Sequence, residues 1–162
     1  MSVEVLATSA AACVAAAVLE GFCAGRDVKA FFAKLRAPRY SAPLPVWYAI
    51  GVLYYATFGF VLYRVLGLAG GDRLTRGTLA LVASMMIANA LWNLIFFRAR
   101  NLFVAFIVGS VAPIPDVALL ACLLRLDTPA ALALVPYLIY RVYAVWWGYA
   151  LWVENRSTAE MC

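Results

Sequence analysis

Two opposite charges stand where the surrounding chain is apolar: Asp116, after Pro113-Ile-Pro115, and Arg141, inside Tyr137-Leu-Ile-Tyr140-Arg141-Val-Tyr143. A charge held in hydrocarbon is costly and faces either a partner or a polar cavity. Asp116 lies about nine residues before the end of its apolar stretch and Arg141 about eleven residues into the next. At about 1.5 Å of rise per residue, both sit roughly 14–17 Å from the same end of a helical pair. The expectation is an Asp116–Arg141 ion pair or a shared polar cavity, serving either a ligand or only the pair itself. Asn89 and Asn93 are four apart and share a helix face, with Trp92 between them and Phe96-Phe97 following. An Asn at such depth ties helices together or offers a hydrogen bond to a ligand. Glu20 is expected near a helix end, paired with a Lys or Arg of the loop that follows.

The missing residue types exclude other chemistry. The chain has no histidine, which removes imidazole metal sites and imidazole bases. Cys13, Cys23, Cys122 and Cys162 are scattered without a C-x-x-C pair and read as small hydrophobes. No catalytic set and no metal cluster is predicted, and no cofactor is required. Met1-Ser2-Val3-Glu4 lacks the positive start of a cleavable signal peptide.

The elements that would carry these residues follow from composition. Of 162 residues, 67% are hydrophobic and 13% charged, with a mean hydropathy of +0.91. Soluble domains are about 45–50% apolar and about 25% charged. A soluble enzyme, a disordered chain and a nucleic-acid binder are excluded, and the net charge of +5 is loop charge. Roughly 20 apolar residues span a bilayer as a helix. Five stretches meet that length, about residues 5–24, 45–68, 78–97, 102–124 and 129–153. The breaks are Arg26 to Arg39, Gly70-Gly71-Asp72-Arg73, Arg98-Ala-Arg100-Asn101, and Arg125-Leu-Asp127-Thr128, with Thr128 expected to cap the last helix before Pro129. The reading is an all-α, multi-pass integral membrane protein, a five-transmembrane-helix bundle forming one domain over residues 1–162, in a bacterial or organelle membrane.

Loops one and three carry a net +6 and loops two and four a net +2, which by the positive-inside rule places the N-terminus outside and the C-terminus inside. The first loop holds Lys29-Ala-Phe31-Phe32-Ala-Lys34-Leu35 and then Pro38, Pro43 and Pro45. That pattern predicts a short interfacial helix followed by an extended lid over one end of the bundle. Pro113 and Pro115 predict a kinked or opened helix before Asp116, and the run Ala10–Ala17 predicts close packing of the first helix. Tyr149 and Trp152 fit an aromatic belt, while Leu134-x-x-Tyr137-x-x-x-Arg141 matches a loose sterol pattern.

Several motifs in this order resemble the translocator protein/tryptophan-rich sensory protein (TspO/MBR) family. They are Phe31-Phe32-x-x-Leu35-x-x-Pro38, Tyr54-Tyr55-x-x-x-Gly59, Asn89-x-x-Trp92-x-x-x-Phe96-Phe97, Pro136-Tyr137-Leu138-x-Tyr140 and Trp152-x-x-Asn155. The resemblance implies a pocket inside the bundle, closed by the first loop, that binds tetrapyrroles such as protoporphyrin IX or haem, and in some members sterols. Carried over by position, it implies ligand contacts from Phe32, Pro43, Tyr55, Asn89, Trp92, Phe96, Tyr140 and Ala144. This chain departs from the pattern at Gly51, Tyr140 and Gly148, where the family carries Trp, Trp and Asn, and at the unusual Arg141. The leading expectation is a ligand-binding membrane protein acting in transport or regulation. The alternatives are a cholesterol or lipid carrier and a photo-oxidative, porphyrin-degrading enzyme. Expected partners are a tetrapyrrole, sterol or lipid ligand, the bilayer and a second copy in a homodimer, with no nucleic acid.

Overall fold

The computed structural model describes residues 2–68 and 71–159; Gly70 and Cys162 lie outside the described residues. The elements are helices α1 (Val3–Ala24), α2 (Val28–Lys34), α3 (Leu44–Gly67), α4 (Arg73–Asn93), α5 (Leu102–Val111), α6 (Pro113–Leu126) and α7 (Thr128–Ala159), with no strand among the described residues. Helix α4 runs on into a π-helical turn, Leu94–Arg98, and α5 and α6 are two halves of one span. Five spans, Val3–Ala24, Leu44–Gly67, Arg73–Arg98, Leu102–Leu126 and Thr128–Arg156, are long and apolar enough to cross a membrane. The protein is an integral membrane protein.

Local chemistry sets the ends. The Ser2 hydroxyl accepts from the Val5 N–H, Asp72 Oδ1 accepts from Thr75 N–H at 2.7 Å, and Asn101 Oδ1 accepts from Val104 N–H at 3.0 Å. Each satisfies a donor that a helix N-terminus leaves free. Gly25 (φ 78°) turns the chain after α1, and Arg100 (φ 54°) enters the left-handed region to close the hairpin between α4 and α5. Pro113 and Pro115 lack N–H groups, so the fourth span breaks at Ala112 as the sequence predicts. Pro136 leaves α7 unbroken, and that helix extends past the expected end at residue 153.

Two other expectations are corrected. Asp127, not Thr128, caps α7, because its Oδ1 accepts from the Ala130 N–H at 2.8 Å. The alanine run of α1 faces mostly outward. Its inward stripe is Ser9, Cys13, Ala16 and Glu20, spaced four, three and four residues apart, which keeps one helical face. Helix α1 lies close to α3 there. A Cβ on Gly59 would stand 3.3 Å from Cys13 Sγ, and Cys13 donates to the Tyr55 carbonyl at 3.7 Å.

Packing divides into two apolar clusters. Phe58, Val61, Val65, Val82, Leu119, Leu123 and Leu134 are fully buried at one end. Phe96, Ala105, Trp147 and Leu151 form the other, with Phe31, Phe32 and Leu35 of the first loop laid against them. At the first end Arg64 reaches from α3 to Asp127 in a forked pair, Nη2 to Oδ2 at 2.6 Å and Nε to both oxygens at 3.1 Å. This bidentate geometry is the strong form of a carboxylate–guanidinium bond.

The Arg64 bond, helped by the Ala130 N–H, holds the Asp127 carboxyl below its ordinary value. A lowered folded-state pKa contributes stability that is present above the unfolded value and is lost as pH falls through the folded one. The melting temperature of the wild type is therefore expected to exceed that of Asp127→Asn by a constant margin above about pH 5, with the margin closing below about pH 4. A margin that does not change with pH refutes a stabilising charge pair at this turn.

Candidate functional site

The first loop covers one end of the bundle and is tied there almost wholly by α7. Arg36 N–H donates to Asn155 Oδ1 and Asn155 Nδ2 donates back to the Arg36 carbonyl, both at 3.0 Å. The Tyr143 hydroxyl accepts from Ala42 N–H and donates to the Tyr40 carbonyl, each at 3.0 Å. Trp147 Nε1 donates to Ser41 Oγ at 2.8 Å, and from α3 Trp47 Nε1 donates to the Ala42 carbonyl at 2.9 Å. Extended backbone has no partners of its own, so these bonds are what let it lie over an apolar interior.

Beneath the lid are two adjoining cavities. The first, about 370 Å³, lies between α1, α3, α4 and α7 and is bordered by Glu20, Phe32, Tyr54, Phe96 and Tyr137 among others. The second, about 410 Å³, lies between α4, the α5/α6 break and α7 and is bordered by Met85, Ile107, Pro115, Asp116 and Ala144. Trp47, Asn89, Trp92, Tyr137, Tyr140, Arg141 and Trp147 border both. Both volumes lie within the range of small-molecule sites, about 300–1,000 Å³.

The aromatic walls are held rigidly. Trp92 stacks on Phe96 with centroids 4.8 Å apart and planes 10° from parallel, and its Nε1 donates to the Ala105 carbonyl at 3.0 Å. Phe32 lies parallel to Trp147 at 6.3 Å, and Trp147 touches Trp47 at 4.4 Å. The π turn adds one residue to the ladder, leaving Phe96 buried and letting Phe97 border the first cavity as well.

Polar groups are few and specific. Asn89 Nδ2 donates to Glu20 Oε1 at 2.5 Å, and Asn93 Nδ2 turns back to the Asn89 carbonyl at 2.9 Å. Arg141 Nε donates to Asp116 Oδ2 at 2.8 Å, and the Asp116 side chain is 2% exposed. The expected Asp116–Arg141 pair is present, and it stands on the cavity wall.

The sequence-derived residues divide clearly. Phe32, Asn89, Trp92, Phe96 and Tyr140 border the first cavity, and Ala144 borders the second with Asn89, Trp92 and Tyr140. Pro43 instead serves as the cap of α3, its carbonyl accepting from Val46 N–H at 2.9 Å. Tyr55 borders neither cavity, and its neighbour Tyr54 takes the place on the wall, since adjacent helical residues point about 100° apart. Glu20 pairs with Asn89 rather than a loop cation, because it continues the inward stripe of α1. The Leu134–Tyr137–Arg141 pattern runs along the inside of α7, with Leu134 fully buried and Tyr137 and Arg141 bordering both cavities. Trp47, Tyr54, Tyr137 and Trp147 are wall residues outside the expected ligand contacts, although Tyr54 and Tyr137 stand within the motifs. The three-and-four spacing of Tyr137, Tyr140, Arg141, Ala144 and Trp147 was the available signal.

Fold and site together define a five-span membrane bundle with an aromatic cavity under a lid supplied by its first loop. The chain belongs to the TspO/MBR family, whose sequence model matches residues 9–153. It is 28% identical over 137 residues, 78% of this chain and 76% of the relative, to the Translocator protein of Ovis aries.

Removing one partner of a buried ion pair strands the other, at a cost of about 3–5 kcal/mol, whereas replacing both with apolar residues is often neutral or stabilising. Arg141→Leu is expected to lower the melting temperature sharply, and Asp116→Leu/Arg141→Leu to restore it. A double variant as unstable as the single one contradicts this account of the pair.

Proposed function

We propose that this protein binds flat, largely apolar molecules in the double cavity, a tetrapyrrole such as protoporphyrin IX or haem being the leading class, for transport or regulation. One observation carries the reading: the indole and phenol rings of Trp47, Trp92, Tyr140 and Trp147 border both cavities. Planar macrocycles gain area and stacking from such walls. Membership in the TspO/MBR family and similarity to a protein named Translocator protein support the same class. With no histidine in the chain, the walls offer a haem stacking rather than imidazole ligation, so metal-free protoporphyrin IX is the more direct probe.

A sterol or lipid carrier is the second reading. It is favoured by the second cavity, whose border includes Ile107 and Val111, 44% and 55% exposed on the outer face of α5. That border gives a lateral route from the bilayer.

Titrating protoporphyrin IX into detergent-purified protein is expected to quench tryptophan fluorescence saturably in the micromolar range. Trp92→Phe and Trp92→Ala should weaken binding progressively, the latter by about tenfold, equivalent to about 1.4 kcal/mol. Absence of saturable quenching in folded protein, or displacement by cholesterol at lower concentration than by unlabelled porphyrin, rejects the tetrapyrrole reading.

A further inference from the structure

Arg141 stands where the two cavities meet and borders both. Its Nε is committed to Asp116, and its guanidinium carbon lies 5.8 Å from the centroid of the Tyr137 ring. Among the described residues, Nη1 and Nη2 make no hydrogen bond, so four of the five guanidinium N–H groups have no protein acceptor. The Arg141 side chain is 15% exposed, so these N–H groups face the cavity space and are open to an acceptor that enters it. Tyr54 borders the first cavity, but its hydroxyl, like that of Tyr55, is buried away from the open space and offers a ligand no donor.

The charge at this place is already balanced. Asp116 is a full counterion to Arg141, and Glu20 adds a second carboxylate on the wall of the first cavity. Among the described residues no other charged side chain borders either cavity. An incoming carboxylate would give up its hydration to meet a guanidinium that is already neutralised, with two carboxylates nearby. A carbonyl oxygen accepts the same N–H bonds and brings no charge into the membrane interior.

We propose that Arg141 is the specificity-determining donor for an uncharged carbonyl oxygen (ester, ketone or amide) on an otherwise flat, apolar ligand, and that the cavity discriminates against the matching carboxylate. This rests on the cavity being a ligand site and narrows the ligand's chemistry: porphyrin diacids bind, and their neutral esters bind more tightly.

Three porphyrins with one macrocycle provide the test: etioporphyrin with alkyl groups only, mesoporphyrin IX dimethyl ester, and mesoporphyrin IX as the diacid. Binding is measured to the full-length protein in nanodiscs, counted above protein-free nanodiscs. The wild type is expected to bind the dimethyl ester at least about tenfold, or about 1.4 kcal/mol, more tightly than either of the others. In Asp116→Leu/Arg141→Leu the advantage over etioporphyrin disappears. Equal binding of ester and etioporphyrin by the wild type overturns the proposal, as does tightest binding of the diacid, and neither result needs a variant to fold. If none of the three binds, the tetrapyrrole reading fails, and progesterone against the hydrocarbon 5α-pregnane decides the carbonyl question. Preference for progesterone that is lost in the double variant supports the proposal. Equal binding, or none, overturns it.

Discussion

A guanidinium can sit halfway along an apolar helix only if a counterion is fixed beside it, and much of this bundle's interior is arranged around that requirement. Asp116 meets Arg141 at 2.8 Å from the first turn of α6. It can do so because Pro113 and Pro115 end α5 and restart the chain as α6 at that depth. A broken helix inside a membrane leaves backbone groups to satisfy, and such breaks are tolerated where they line a cavity instead of facing lipid. Here Ala112 and Pro115 border the second cavity. The charge pair, the helix break and the cavity are therefore one feature, and a change to any of them disturbs the other two.

Helix α7 organises the rest. Its inward stripe passes from Tyr137 through Tyr140, Arg141 and Ala144 to Trp147, and these residues form the cavity wall. Tyr143 and Asn155 hold the backbone of the lid, and Trp147 holds its Ser41 hydroxyl. Trp147 belongs to both sets, stacking with Phe32 of the lid and donating to Ser41 while its ring borders both cavities. Lid and cavity wall meet at this 3%-exposed residue and at Trp47, which likewise donates to the lid, at the Ala42 carbonyl, and borders both cavities. At the opposite end the Arg64–Asp127 fork fixes the start of α7 to α3, so the helix is anchored at both ends.

Much of this was legible in the residues themselves. Hydropathy over lengths of about 20 residues can produce only membrane-spanning helices, and loop residues marked the breaks between them. The depth of Asp116 and Arg141 follows from a fixed rise per residue, so their meeting could be computed before any coordinates. The spacing of Asn89, Trp92 and Phe96 likewise put them on one face. The pairing of Glu20 with Asn89 was not legible, because the rotation of α1 is set by the Cys13–Gly59 approach to α3. Nor was the choice of Tyr54 over Tyr55, since two adjacent aromatics give a helix no sequence-level preference for which one faces inward. The π turn at 94–98 was equally hidden: it shifts the phase of the helix without any marker residue.

The amino-acid sequence by itself determined the membrane class, the number of spans, the lid and the charged pair, because length, hydropathy and the cost of a lone charge in lipid are local quantities. Tertiary structure alone decided which side of each helix meets the cavity, that the space is divided into two adjoining cavities, and that Trp147 links lid to wall. Those depend on how helices rotate and approach one another, which packing between distant segments fixes and no single segment encodes.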